Sequence, residues 1–305
     1  MMKALDPELL MRRLMWPEGR VRMVLDTDTY NEIDDQFALV YALSSSPRLE
    51  VEAVYAAPFH NDRSEGPGHG MELSREEIER IFGLLNLETS GRVFSGSTSW
   101  LRDTEGGVAS AACDDLIARA RASAEDDPLY VVGIGAPTNI ASALVAAPDI
   151  REKVVVVWLG GHPLYWPTAQ EFNLRQDLEA SRVLFDSGVP LVLLPCMHVA
   201  ELARASSAEL ERYLDGRSEI GTYLSKIFRE YEHYPQTEAG RSKQIWDLAP
   251  LAWLLDASWV DTVLEASPIL TERMTWSRDA SRHLIRVARH LDRDPLFADL
   301  FAKLG

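Results

Sequence analysis

The sequence predicts an α/β fold with an open, mostly parallel central sheet flanked by helices. Short runs rich in β-branched residues alternate with longer stretches of helical periodicity, which is typical of βαβ units. The run VVVVWL is apolar at every position, as expected of a central strand that helices cover on both faces. No Gly/Ser-rich linker, repeat or low-complexity tract divides the chain. We therefore expect one domain over residues 1–305, with an N-terminal extension over residues 1–20.

The predicted elements follow one another in a regular order. Strands are predicted at residues 21–25, 51–56, 129–134, 153–159 and 191–194. Helices are predicted at residues 34–45, 75–87, 109–124, 139–146, 178–187, 208–214, 220–231 and 248–256. Ser74 with Glu77, and Ser206 with Glu209, have the spacing of capping boxes, which predicts that helices begin there. Residues 200–256 are rich in helices and interrupt the strand rhythm, so we expect them to form a cap or subdomain near the functional site.

The composition limits the partners of the chain. Lys and Arg number 31 against 47 Asp and Glu, which gives a formal net charge of −16. Nucleic-acid backbones are bound by clustered basic residues, so this balance argues against a nucleic-acid partner. Apolar residues make up 46% of the chain and charged residues 26%, so a sizeable core can form.

Cysteine usage and the N-terminus predict the compartment. Cys113 and Cys196 are too few for a disulfide framework and lack metal-type spacing, which favours a reducing compartment. The first 20 residues carry four charges within their apolar stretch, which a signal peptide would not tolerate. Later apolar runs are far shorter than the ~18 residues that span a bilayer. We expect a soluble cytoplasmic protein with no membrane partner.

Acidic residues concentrate directly after the first predicted strand, at Asp26, Asp28, Glu32, Asp34 and Asp35. Ligands of open α/β sheets bind at the carboxyl ends of strands, and carboxylates gathered there repel one another unless a cation lies between them. Carboxylate oxygens suit a hard divalent cation such as Ca²⁺ or Mg²⁺. Helix capping alone would account for Asp34 and Asp35, but it would leave Asp26 and Asp28 unexplained.

Two enzyme families have motifs similar to this acidic segment. Residues 26–29 (DTDT) resemble the DxDxT motif of haloacid-dehalogenase-type phosphatases, which would make Asp26 a phosphorylated nucleophile assisted by Mg²⁺. Those enzymes also carry a late Gly-Asp acidic motif after a strand. Here the strand at 153–159 is followed by GGHPLYW, so that motif is missing.

The chain resembles the nucleoside hydrolases at several ordered points. DTDTYNEIDD at 26–35 is similar to their DxDxGxDD signature, with two more residues between the acidic pairs. AAPFHN supplies Asn61, and VVGIGAPTNIASAL supplies the TNIA turn with Thr138. Residues 171–173 reproduce EFN, Trp246 and Asp247 begin a late helix, and RVARHLDRDPLFADLFAKL is similar to the closing strand and helix of the family. Each motif is weak alone, but all of them in order are a strong signal.

The resemblance implies a Ca²⁺-dependent enzyme that hydrolyses the N-glycosidic bond of a ribonucleoside to free base and ribose. Carboxylates would stabilise the oxocarbenium-like transition state, and the ion would lower the pKa of the attacking water. The implied Ca²⁺ ligands are Asp28, Asp35, Asp247 and the carbonyl of Thr138, with Asp28 also acting as general base. The implied ribose ligands are Asp34, Glu171 and Asn173, with Asn61 orienting the water and Asp26 supporting the loop.

Each of these residues also has a structural interpretation. Glu171 and Asn173 would otherwise be a solvated loop pair, and Asp247 or Thr138 would otherwise cap the helix that follows. Capping and ligation are compatible at a helix start, so these alternatives weaken the site only slightly.

The base site departs from the usual pattern of the family. Trp246 stands where many relatives carry a His that protonates the leaving base, and a purine-preferring branch also has Trp there. Trp246 would stack on a purine, although a core position suits a Trp equally well. Trp100 would stack on the opposite face, and Tyr165 replaces an Asn that contacts the ribose. The candidate replacement acids are His60, His162, His198 and, slightly favoured, His233.

Two alternatives to the leading hypothesis stay open at this point. One is the Mg²⁺-dependent phosphatase with Asp26 as nucleophile. The other is a protein that binds ribosides without catalysis, as the missing His would allow. For the hydrolase, the resemblance further implies purine salvage and a homodimer or homotetramer.

Overall fold

The computed structural model describes residues 5–103, 106–231 and 240–305. Its strands are β1 (Val21–Thr27), β2 (Leu49–Ala56), β3 (Val93–Ser95), β4 (Leu129–Gly133), β5 (Val154–Leu159), β6 (Leu191–Leu194), β7 (Arg204–Ser206), β8 (Ser242–Gln244), β9 (Val260–Ala266), β10 (Ile269–Leu270), β11 (Trp276–Ser277) and β12 (Leu284–Leu291). Its α-helices are α1 (Pro7–Leu14), α2 (Asp34–Leu43), α3 (Pro67–Leu84), α4 (Ala111–Ala122), α5 (Thr138–Ala146), α6 (Phe172–Gln176), α7 (Leu178–Asp186), α8 (Ser207–Tyr213), α9 (Glu219–Glu230), α10 (Leu248–Leu255) and α11 (Arg293–Leu304).

The central sheet confirms the predicted α/β fold class. Within the described residues it has eight strands in the order β3-β2-β1-β4-β5-β6-β12-β9. Neighbouring strands are parallel throughout, except that β9 runs antiparallel to β12 at one edge. Short antiparallel pairs, β7 with β8 and β10 with β11, lie outside this sheet.

Helices cover both faces of the sheet, as the apolar central strands require. Along β5, Val155 and Val157 belong to one buried core while Val156 and Trp158 belong to the other. The first core is shared with α2, α3, α10 and α11, and the second with α4, α5 and α7. Each fully buried Val or Leu contributes about 1.5–3 kcal/mol, so both faces of the sheet stabilise the fold.

The segment 200–256 shares the first core with the central sheet. Leu210 of α8, Leu224 of α9 and Leu248 of α10 are buried among residues of α2 and β1. The segment therefore packs directly onto the sheet and carries Trp246 to the carboxyl ends of the strands.

The N-terminal residues pack against the amino ends of the central strands. The guanidinium of Arg13 donates to the carbonyls of Glu125 at 2.7 Å and Glu152 at 3.1 Å. The indole of Trp16 donates to the carbonyl of Trp253 at 2.6 Å. Residues 7–14 are helical, which the sequence did not predict.

Two predicted boundaries have opposite outcomes. Helix α3 begins at Pro67, so the predicted start at Ser74 is wrong: the Ser74 hydroxyl lies inside the helix and donates to the carbonyls of Ala57 and Gly70. Proline suits a first helical turn because the missing N–H has no partner there anyway. The capping box of Ser206 and Glu209 is confirmed. No helix among the described residues is long and apolar enough to cross a bilayer.

Candidate active site

A pocket of about 370 Å³ opens at the carboxyl ends of β1, β4 and β5. Six segments supply its walls: the loop after β1, the segments that follow β4, β5 and β6, the start of α6 and the start of α10. Its lining residues are Asp28, Asn31, Glu32, Asp34, Asp35, Ile134, Leu159, His162, Gln170, Glu171, Phe172, Asn173, Arg175, Cys196, Trp246 and Asp247.

Asp28 is a buried carboxylate in the wall of this pocket. Its side chain is 1% exposed, and neither carboxylate oxygen has a hydrogen-bond partner among the described residues. The turn after β4 closes directly over it, because a Cβ added at Gly135 would lie 3.0 Å from the Asp28 Cγ. A buried carboxylate without a partner is costly, so this site calls for a positive group beside Asp28.

Asp34, Asp35 and Asp247 converge beside Asp28. One carboxylate oxygen from each of these three residues lies within 4.8 Å of the others. The Thr27 hydroxyl donates to Asp35 at 2.5 Å and holds that carboxylate in place. The convergent set therefore includes Asp34, which the resemblance assigns to the ribose, beside the two predicted metal ligands.

Burial and mutual repulsion raise the pKa values of this cluster. Burial, with the charge of Asp34 added, raises the pKa of Asp35 to about 7. Burial raises the pKa of Asp34 to about 6, although the ammonium of Lys243 opposes it. Burial and the neighbouring carboxylates raise the pKa values of Asp28 and Asp247 well above the usual range. A bound cation would reverse these shifts, and an all-oxygen donor set fits a hard divalent ion.

Asp26 and Thr138 are fully buried beneath the pocket. The amide of Asn139 donates to Asp26 at 2.7 Å, and burial raises the pKa of Asp26 to about 7. The Thr138 hydroxyl donates to Asp177 at 2.9 Å, at the first residue of α5. Asp26 does not line the pocket, which disfavours its role as a phosphatase nucleophile. Ligation by the Thr138 carbonyl stays a prediction.

Glu171 and Asn173 are buried, so they are not a solvated loop pair. The Glu171 carboxylate accepts from the N–H groups of Gly161, Asn173 and Leu174 at 2.8, 2.9 and 3.1 Å. The Asn173 amide nitrogen donates to the carbonyls of Ile134 and Leu159 at 3.0 and 3.1 Å. Burial raises the pKa of Glu171 despite these bonds. Both side chains are thus held in place, and each still has an oxygen that can accept a further hydrogen bond.

Asp247 occupies the N-cap position of α10 but makes no capping bond with its side chain. Its carboxylate faces the pocket instead. Trp246 is half-buried: it lines the pocket and also packs against the first core. The two interpretations of this Trp are therefore compatible.

The acidic loop after β1, which is two residues longer than the family signature, is held by basic and amide side chains. Asn61 donates to the carbonyl and side-chain oxygens of Asn31 at 3.2 and 2.7 Å. Arg63 donates to the carbonyls of Tyr30 and Glu32, both at 3.2 Å. The buried ammonium of Lys243 contacts the Glu32 carboxylate at 2.5 Å. Asn61 thus positions the loop and does not line the pocket, and its role on the water stays a prediction.

The remaining predicted residues are scattered. Trp100 is buried beside a neighbouring hollow, and Tyr165 is 51% exposed with its hydroxyl 2.8 Å from Nδ1 of His198. His233 lies outside the described residues. His162 is the one candidate acid among the described residues that lines the pocket, and its Nδ1 is buried without a partner.

Sequence reasoning missed three contributors to the site. Arg63 and Lys243 lie in segments that only the tertiary fold brings next to the acidic loop, so no local motif identifies them. Glu32 was visible in the acidic run, but its place in the pocket wall follows from the longer loop. The position of His162 directly after a buried strand was the signal that could have ranked it above His233.

Comparison with known proteins gives one family match. The family described as inosine-uridine preferring nucleoside hydrolase matches residues 69–298. A pyrimidine-specific ribonucleoside hydrolase, RihA of Salmonella typhi, is 26% identical over 259 residues, 79% of this chain and 81% of that protein. Two solved structures share the fold. The plant nucleoside hydrolase PpNRh1 has a TM-score of 0.74 and 19% sequence identity, over 94% of this chain and 99% of that one. A purine-preferring ribonucleoside hydrolase from Gardnerella vaginalis has a TM-score of 0.72 and 22% sequence identity, over 93% of this chain and 98% of that one.

Proposed function

The chain belongs to the inosine-uridine preferring nucleoside hydrolase family, and from that premise we propose that it is a Ca²⁺-dependent, purine-preferring enzyme. As a member, it hydrolyses the N-glycosidic bond of ribonucleosides and depends on a metal. Family membership sets aside the phosphatase.

The observation that carries the Ca²⁺ proposal is the carboxylate set around Asp28. Both buried carboxylate oxygens of Asp28 lack a hydrogen-bond partner among the described residues, and Asp34, Asp35 and Asp247 converge beside it. Ca²⁺ takes six to eight oxygen ligands in flexible geometry, whereas Mg²⁺ demands a near-ideal octahedron. Several crowded carboxylates suit the larger ion better. When bound, the ion would lower the pKa of a water molecule beside the ribose.

Different residues of the pocket would then have different roles in the reaction. Asp28 takes the proton of the attacking water, whose oxygen forms the new bond to C1′. The bond from C1′ to the base nitrogen breaks with its electron pair on the base. Asp34 and the other carboxylates stabilise the positive charge that builds on the ribose.

Glu171 and Asn173 would fix the ribose through the lone pairs that the fold leaves unused. Three of the roughly four acceptor positions of the Glu171 carboxylate are taken by backbone N–H groups. Both N–H groups of Asn173 are taken by carbonyls, which leaves its Oδ1 as an acceptor. Each residue can therefore accept from a ribose hydroxyl.

The base would lie against Trp246. Its indole borders the pocket next to Asp247, and aromatic stacking on a base is worth about 1–3 kcal/mol, which favours the larger purine ring. His162 is the described residue best placed to give a proton to the leaving base. The purine-salvage role, the cytoplasmic location and the homodimer or homotetramer stay predictions from the sequence.

Ribose release after metal exchange tests this proposal. Protein stripped with a chelator should regain turnover of inosine and guanosine with Ca²⁺ and much less with Mg²⁺. The value of kcat/KM should be about tenfold lower for uridine and cytidine. The control is Asp294→Asn, at an exposed carboxylate that does not line the pocket. Equal recovery with Mg²⁺ would contradict the choice of ion, and a pyrimidine preference would contradict the choice of base.

A further inference from the structure

His162 lies between β5 and α6, in a segment where residues 160–171 form neither helix nor strand. Its side chain is 8% exposed and lines the nucleoside pocket. Burial lowers the pKa of His162, while the backbone of Gln170 and the charge of Glu201 oppose this change, and a lower pKa makes the protonated ring a stronger acid. An acid in an irregular segment transfers its proton efficiently only if other contacts fix its position.

The hairpin formed by β10 and β11 binds this segment near both of its ends. The indole N–H of Trp276 in β11 donates to the carbonyl of His162 at 3.2 Å. Nearer to α6, the Ala169 N–H and the Thr168 hydroxyl donate to the carbonyl of Met274 at 2.7 and 3.2 Å. Met274 lies between the two strands of the hairpin. The hairpin therefore holds the segment at His162 itself and again shortly before α6.

Trp276 is itself held by several neighbours. Its ring meets the ring of Phe185 edge-on, with the centroids 5.4 Å apart, and packs against the second core. It also lies against Gly161, where an added Cβ would be 3.0 Å from Cζ2 of the indole. The hairpin is bound to α7, since Nε of Arg182 donates to the carbonyl of Leu270 at 3.1 Å. The indole is thus a fixed support for the backbone beside the pocket.

The backbone next to His162 is also bound by other residues of the pocket. The Gly161 N–H donates to Glu171 at 2.8 Å, and the Gly161 carbonyl accepts from the Cys196 N–H at 2.9 Å. Trp276 adds a bond at the next carbonyl along the chain. On the imidazole, Nδ1 is buried without a hydrogen-bond partner among the described residues. The position of the ring therefore depends largely on how its backbone is held, and the Trp276 bond acts on His162 itself.

We propose that Trp276 is a positioning residue that holds His162 where it can protonate the leaving base. The inference rests on the proposed function, in which His162 is the acid. As the bond from C1′ to the base nitrogen breaks, its electron pair stays with the base. The proton of the His162 imidazolium passes to a ring nitrogen of the base, and the neutral imidazole then takes a proton from solvent. A displacement of about 1 Å can cost about 100-fold in rate, so one bond to the backbone of the acid has a measurable effect.

Two ribosides that differ in their leaving group test this inference. A nitrophenolate leaves as a stable anion, whereas the hypoxanthine of inosine leaves readily only with a proton from an acid. Trp276→Phe keeps an aromatic ring beside Phe185 and removes the N–H donor. It should lower kcat for inosine about tenfold, leave KM nearly unchanged and lower kcat for the nitrophenyl riboside much less.

Further variants complete the experiment. His162→Asn should show the same selectivity for the leaving group with a larger loss for inosine, on the order of 100-fold. Combined with Trp276→Phe it should lose little more, because both residues act through one proton transfer. Trp16→Phe is the matched control. It also removes an indole N–H from a backbone carbonyl, that of Trp253, but Trp16 does not line the pocket, so both substrates should be unaffected.

The outcomes separate this inference from the proposed function. Equal losses for both substrates, additive losses in the double variant, or full inosine turnover by Trp276→Phe would each overturn the positioning role while the proposed function stands. Wild-type hydrolysis of the nitrophenyl riboside but not of inosine would mean that no group protonates the base, and would also overturn this role. If the wild type hydrolyses neither, the proposed function fails and the inference with it.

Thermal unfolding checks that each variant is folded at the assay temperature. If Trp276→Phe is not, replacement of Trp276 by benzothienylalanine gives the same comparison, because this residue keeps the shape of the indole and has sulphur in place of the N–H. Selective loss for inosine supports the positioning role, and equal turnover or equal losses overturn it.

Discussion

Replacing Asp28 by Asn should have two separate effects: it should weaken the stabilisation by Ca²⁺, and it should remove the free-energy penalty of burying this carboxylate. A ligand at one hundred times its Kd stabilises the folded state by about 2.7 kcal/mol. An unfolding entropy of about 2.1 cal/mol/K per residue, taken over 305 residues, converts this into an upward Tm shift of about 4 °C for the wild-type protein in Ca²⁺. Asp28→Asn should lose most of that shift, because it removes a carboxylate that has no hydrogen-bond partner in the described part of the chain.

The same substitution should leave the chelated protein at least as stable as wild type near neutral pH. Burial raises the folded-state pKa of Asp28, so the folded chain holds a proton that the unfolded chain releases above its ordinary pKa. The free energy of unfolding therefore falls as pH rises from the ordinary carboxyl range toward the raised pKa. Asp28→Asn removes this contribution and should flatten the profile.

Scanning calorimetry in chelator and in Ca²⁺, from pH 5 to pH 8, measures both effects. Asp294→Asn, on the exposed surface, serves as the control and should behave as wild type. A full Ca²⁺ shift retained by Asp28→Asn, together with an unchanged pH profile in chelator, would refute the assignment of Asp28 to the cation.

Three further substitutions test the surroundings of the site. Lys243→Met should cost about 2 kcal/mol of unfolding free energy by urea titration, because it strips Glu32 of a largely buried partner, and adding Glu32→Gln should recover part of this loss. Trp246→Ala should raise KM for inosine about tenfold and change KM for uridine less, and equal changes would speak against stacking. Asn139→Ala should cost about 2 kcal/mol in urea, because Asp26 and the Ser97 N–H lose their partner; a stability equal to wild type would show that these bonds are replaced.

The core of the fold was predictable because its strands are apolar on both faces. The strand at 191–194 has the predicted bounds, and β5 differs by one residue at its start. The start of α3 was wrong because Ser74 and Glu77 satisfy the capping pattern, yet the helix already begins at Pro67. Strand β3 was missed because its three residues are only half-buried and carry little periodicity.

The candidate site was predictable where its residues stand at the ends of strands and helices. Asp28, Asp35 and Asp247 fall at such ends, and the fold brings them to one pocket. Trp100 and Tyr165 were assigned to the substrate from their places along the chain, and the structure puts neither side chain in the lining of this pocket. Lys243 reaches Glu32 from strand β8, 211 residues away in the chain, a distance over which local patterns carry no information.

The strand order also determines which properties of the enzyme can change independently. The order reverses at β1, with β2 and β3 on one side and β4 to β6 on the other, so the loops after β1 and β4 part and leave a permanent crevice. Asp28 and Asp35 stand directly at that crevice and are fixed by the sheet. Trp246, which borders the pocket, comes from a later, separate segment. Evolution or protein engineering can therefore exchange the later segments of the pocket wall while the carboxylates proposed to bind the cation stay in place.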